Sequence, residues 1–99
     1  MSTPCVVRAA ENPTIELYIH YDGDDIEMVK SIVNIAKKHH ARNINYDESY
    51  GMARLCCAAA EYLDNEETGF GVNPVGKNSV DYVYLINRDW SVDLDKEAN

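Results

Sequence analysis

The sequence predicts a two-layer α+β sandwich, with two helices on one face of a mostly antiparallel sheet of three to five strands. Three observations carry this. Residues 15–21 alternate between apolar and polar side chains, two stretches after Asp25 and Asp47 repeat apolar residues at helical spacing, and apolar runs return between residues 68 and 94. Helices grouped together beside strands suit a two-layer arrangement.

A first strand is expected over Cys5–Ala10, and Glu11-Asn12-Pro13-Thr14 is a turn signal. In residues 15–21, Ile15, Leu17, Ile19 and Tyr21 share one face, and Glu16, Tyr18 and His20 share the other. Asp22-Gly23-Asp24-Asp25 breaks the strand and offers a helix cap from Asp24 or Asp25, with Glu27 adding negative charge at the positive helix end. Ile26, Val29, Ile32, Val33 and Ala36 form the apolar stripe, and the Lys37-to-Arg42 segment places cations where the dipole favours them.

Asp47 is expected to cap the second helix, whose stripe is Met52, Leu55, Cys56, Ala59 and Leu63. Ala53, Cys57 and Ala60 make a small-residue face that would let another element approach. That helix should end near Asp64-Asn65. Residues 68–72 read as a strand weakened by glycine, 73–79 as a loop and 80–86 as a central strand with apolar residues on both faces. After a turn at 87–89, residues 90–94 return as an edge strand.

Ninety-nine residues suit one domain over 1–99, with 1–4 and 95–99 expected to fray. Seventeen acidic residues against nine basic ones leave a net charge of −8, which disfavours nucleic acid and anionic membranes as direct partners and favours a basic protein. Cys5, Cys56 and Cys57 have neither disulfide-framework nor zinc-site spacing. Met1-Ser2-Thr3-Pro4 lacks the features of a signal peptide, so the expected location is the cytoplasm.

Several constellations could carry chemistry, each against a plainer account. The His20–Glu27 segment clusters carboxylates beside a histidine, but glycine directly after Asp22 breaks calcium-loop spacing, and an acidic strand-to-helix turn explains it as well. Lys37-Lys38-His39-His40 reads as a basic last helical turn. Cys56 and Cys57 fall mid-helix, where no cation or helix N-terminus activates a thiol. Thr68-Gly69-Phe70-Gly71 lacks both the helix and the lysine of a phosphate loop, so backbone bending or close packing accounts for it better. If the helices cover Leu17, Ile19, Val83 and Leu85, then Tyr18, His20, Tyr82 and Tyr84 form an open aromatic face able to meet a ligand or a second copy.

The segments Tyr18-Ile19-His20-Tyr21-Asp22-Gly23 and Glu67-Thr68-Gly69-Phe70-Gly71, with an apolar strand ending near Asp89, resemble a family of small phage and bacterial proteins. In that family the strand reads Tyr-x-His-Trp before Asp-Gly or Gly, and here Tyr21 stands in place of the tryptophan. The resemblance covers about residues 15–94. It implies a phage or mobile-element origin and assigns no catalytic residue.

The leading functional expectation is a non-enzymatic acidic binding protein, a phage-encoded inhibitor that occupies a basic or nucleic-acid-binding site on a host protein. Its contact residues are Asp24, Asp25, Glu27, Glu61, Asp64, Glu66 and Glu67. One alternative is a small-molecule or nucleotide binder using Tyr18, His20, Tyr82 and Tyr84; another is a metal-dependent enzyme centred on His20 and Asp22. The leading expectation calls for no catalytic residue, metal or cofactor, and the open sheet face leaves room for a homodimer.

Overall fold

In the computed structural model, residues 3–39, 45–63 and 69–95 are described. Among them the order is β1 (Cys5–Ala9), β2 (Ile15–Ile19), α1 (Ile26–His39), α2 (Tyr50–Tyr62), β3 (Phe70–Pro74), β4 (Tyr82–Ile86) and β5 (Val92–Leu94). The expected α+β class is what forms: an open five-stranded sheet with helices packed on it. The expected ends of the first helix (40–42), the second helix (64–65) and the glycine strand (68) lie outside the described residues.

The sheet order is β3-β2-β1-β4-β5. Three neighbouring pairs are antiparallel, and the central pair β1–β4 is parallel. The two hairpins, β1–β2 and β4–β5, explain two of the antiparallel pairs. The parallel pair needs a crossover, because β4 enters the sheet beside β1 from the far edge strand β3.

Two different coverings close the sheet. On one face lie α1 and α2, whose Val29, Ile32, Val33, Leu55 and Ala59 pack on Val7, Leu17, Ile19 and Ile86. A fully buried Leu or Ile of this kind contributes roughly 1.5–3 kcal/mol. On the other face runs the crossover, residues 75–81, between the end of β3 and the start of β4. Its start is tied by Val75 N–H donating to Thr14 O, and its finish by Asp81 N–H donating to Pro4 O. Gly76, at φ +88°, serves the turn closed by Lys77 N–H on Pro74 O. Beneath this segment Val6, Glu16 and Val83 are buried.

Local signals set the helix starts. Asp25 Oδ1 accepts from the amides of Glu27 (3.1 Å) and Met28 (3.2 Å), so Asp25 rather than Asp24 is the cap. Asp47 accepts from the amides of Tyr50 and Gly51, both at 3.1 Å. Glu48 reaches from the start of α2 to β2, accepting from Thr14 Oγ1 at 2.7 Å and Thr14 N–H at 2.8 Å. Thr3 and Pro4 depart from the expected frayed end, since their carbonyls accept from Gly23 and Asp81.

The aromatic-face expectation needs correction. Tyr82 pairs with Cys5 and Tyr84 with Val7, and those residues in turn pair with Ile19 and Leu17. Tyr82 and Tyr84 therefore lie on the helix-covered face, while Val83 and Leu85 point to the crossover face. Period-two alternation could not decide this, because β4 is apolar on both sides.

The glycine run does form a strand, β3, but close packing is not the reason for its glycines. A Cβ built on Gly69 or Gly71 would meet nothing within 4 Å, and neither has positive φ. Close packing does not explain these two glycines, and nothing among the described residues requires them.

Candidate functional site

The topology sorts charge along the strand direction. The N-terminal ends of β1 and β4, the C-terminal ends of β2 and β5 and the start of α1 all lie at one end of the sheet, as the pairings Cys5–Ile19, Cys5–Tyr82 and Tyr84–Leu94 fix. α2 begins at the opposite end, where Glu48 holds Thr14. It runs back so that the chain can reach Gly69, whose carbonyl accepts from His20 N–H. Its last turn, with Glu61, therefore comes to the first end.

This first end carries Asp22, Asp24, Asp25, Glu27, Glu61, Asp81 and Asp95, and all but Asp95 are exposed. Most cations lie elsewhere. Lys37 and Lys38 close α1 at the opposite end, Lys77 and Arg88 lie in the turns there, and Arg54 sits in the first half of α2. Lys37 is close enough to Asp89, at that far end, to help lower its pKa, behind the larger effect of the Ser91 hydroxyl and amide. Arg8 and Glu16 form an ion pair that lies under the crossover, away from the acidic end.

Of the sequence-expected contact residues, Asp24, Asp25, Glu27 and Glu61 are thus brought to one end of the molecule. Asp64, Glu66 and Glu67 lie outside the described residues. Asp22, Asp81 and Asp95 join the group in addition to the expected contact residues; of these, Asp81 is the one that sequence reasoning missed. Asp81 and Asp95 are far from the first helix in the chain, and only the parallel β1–β4 pair and the β4–β5 hairpin bring them there.

A second locus is Tyr18 and His20. The Tyr18 hydroxyl lies 2.7 Å from His20 Nδ1, and the His20 ring meets Tyr21 edge-on at 4.6 Å. This pair sits beside the acidic end, apart from Tyr82 and Tyr84 on the other face. Tyr84 is 1% exposed and donates from its hydroxyl to Gly23 O at 2.6 Å, so its polar tip is committed to the strand-to-helix turn. Burial pushes its pKa up to about 12. Among the described residues, no group of three or more His, Cys, Asp or Glu side chains is arranged to hold a metal ion.

A third locus lies under the crossover. Glu16 and Arg8 line a cavity of about 180 Å³ together with Asn78, Ser79 and three valines. The sequence placed Glu16 on an open sheet face, but the crossover buries it.

The thiols differ in setting: Cys5 lies in β1, and of the two cysteines expected as small core residues of α2, Cys57 is exposed. Cys5 is buried, and desolvation pushes its pKa up to about 12; Cys56 is half-buried and Cys57 exposed. The small-residue face of Ala53, Cys57 and Ala60 is exposed beside Tyr50.

No helix among the described residues is long and apolar enough to cross a membrane. No protein-family model, curated protein or solved structure matches the chain.

Proposed function

We propose that this protein is a non-enzymatic binding protein whose acidic end occupies a basic site on a partner protein. The observation that supports the reading is the gathering of Asp22, Asp24, Asp25, Glu27, Glu61, Asp81 and Asp95 at one end of the fold, with the described cations mostly elsewhere. Like charges held together on a rigid frame repel one another and destabilise the fold slightly, so their placement is better explained by a partner than by stability. Carboxylates fixed on strand ends and helix ends can stand in for phosphates in a groove lined by Lys and Arg. The natural occupant of such a groove is nucleic acid, and the protein acts as its mimic. The resemblance of the Tyr18–Gly23 segment to phage proteins suits an inhibitor of a host nucleic-acid-binding protein.

The test is co-purification from host lysate with the wild-type chain and with a variant carrying Asp24→Asn, Glu27→Gln and Glu61→Gln. Asp25 is left intact because it caps α1. The reading predicts a partner that is retained at low salt, released at high salt or by added duplex DNA, and retained poorly by the variant. Retention that survives high salt and the triple substitution would contradict it.

A further inference from the structure

The crossover face holds a feature that acidic binding does not use. Glu16 is 1% exposed, and its Oε1 has no hydrogen-bond partner among the described residues. Arg8 Nη1 approaches it to 3.5 Å, as an ion pair too long for a good hydrogen bond. Asn78 Nδ2, from the crossover, is likewise buried without a partner. All three residues line one cavity of about 180 Å³, whose remaining walls include Val6, Val80 and Val83.

Leaving a buried carboxylate oxygen and a buried amide N–H unmade costs about 1–3 kcal/mol each. Folds keep such groups mostly where something else satisfies them. The groups here form a set: a donor on Arg8, an acceptor on Glu16 and a donor on Asn78. Arg8 and Glu16 cancel in charge, so the cavity suits a neutral guest. Sites for drug-sized ligands run to about 300–1,000 Å³, so this one suits a single ring. The valines provide apolar walls for the faces of that ring.

We propose that this cavity binds a neutral single-ring heterocycle through an imide edge, the carbonyl–N–H–carbonyl array found in uracil-type bases. The imide N–H donates to Glu16 Oε1, and its two carbonyls accept from Arg8 and Asn78. With Arg8 matched by Glu16, the lining offers no surplus cation to hold a phosphate, so the free base is the form that enters. The crossover is a short strap. Its seven residues, 75–81, pass over two strands between β3 and β4 while being tied at Thr14 and Pro4. Binding therefore tightens an existing cover and needs no large closure. The site stands independently of the acidic-end reading, because it shares no residue with it.

The experiment is a titration of the full chain with uracil, followed by backbone amide NMR, with 3-methyluracil as the control that lacks the imide donor. Saturable shifts centred on residues 6–8, 16 and 76–80 with uracil, and binding about tenfold weaker or lost with 3-methyluracil, are expected. Asn78→Asp, which replaces the donor by an acceptor in an otherwise similar shape, should weaken uracil binding by about tenfold or more. Its fold is checked by its amide spectrum, and the two-ligand comparison on the wild-type chain stands without it. Absence of saturable shifts with uracil, as for a cavity that holds only water, would overturn the proposal. So would equal binding of the two ligands, or unchanged uracil affinity in a folded Asn78→Asp.

Discussion

The hydroxyl of Tyr84 donates to the carbonyl of Gly23 at 2.6 Å, joining the middle of β4 to the turn that leads from β2 into α1. Gly23 N–H also donates to Thr3 O, so both polar groups of this glycine are held. A Cβ at Gly23 would press on Thr3 O, Cys5 Cβ and Pro4 C. Tyr84→Phe should cost about 1–2 kcal/mol by leaving the Gly23 carbonyl unpaired. Gly23→Ala should cost about 1–3 kcal/mol by overpacking. Urea unfolding followed by the single tryptophan, Trp90, measures both.

Alkali should weaken the fold through the same region. Burial pushes Cys5 from 9.0 and Tyr84 from 10.0, each up to about 12. In the unfolded chain both groups release protons at their ordinary values, while the folded chain retains them. Stability from these groups is complete below about pH 9 and falls as pH rises toward 12. Unfolding free energies measured across that window should decline, and Cys5→Ala should make the decline shallower. A decline of the same steepness in the variant would contradict the assignment to Cys5.

Glu48 predicts a separate loss in acid. Desolvation works to raise its pKa, but the Thr14 hydroxyl and the Thr14 and Ile15 amides outweigh that and hold it below its ordinary value of 4.5. Stability from this carboxylate is present above that value and is lost as pH falls through the lowered folded value. Because the group is only partly buried at the surface, its contribution is about 1 kcal/mol or less. Glu48→Gln should lower neutral stability by about that amount, leave stability at low pH little changed and so flatten the acid limb of the profile.

Neighbouring acidic residues should separate into structural and surface roles. Asp25→Ala removes the cap of α1 and should cost about 1 kcal/mol. Asp24→Asn removes an exposed charge from the acidic end and should change stability by no more than about 0.5 kcal/mol. Thermal unfolding of the two variants decides this, and equal losses would argue against the separation.

Thiol labelling should distinguish the cysteines. Cys57 is exposed and Cys5 buried, so a thiol reagent on the native chain should label Cys57 at once and Cys5 only on unfolding. Cys57→Ser should remove the fast phase.

Much of the fold was legible because local signals agreed with one another. Asp25, the stripe from Ile26 to Ala36 and the terminal cations all marked one helix, and α1 forms there. Alternation in 15–21 identified β2, which forms over Ile15–Ile19, and its buried Leu17 and Ile19. What stayed hidden depends on partners distant in the chain. Alternation alone puts Tyr82 and Tyr84 on the wrong face, because only the parallel register with Cys5 and Val7 orients β4. Glu16 reads as an exposed strand residue until the crossover is placed over it. The acidic end was legible in part: Asp24, Asp25 and Glu27 cluster in sequence, whereas Asp81 and Asp95 join them only through strand pairing.

The claim that folding concentrates negative charge at one end is tested most directly by titrating an arginine-rich peptide into the labelled chain and following backbone amides at low and high salt. The account predicts shifts centred on residues 22–27, 61, 81 and 95, fading as salt is added. Shifts spread evenly over the surface, or gathered at the end that carries Lys37, Lys38 and Arg88, would contradict it.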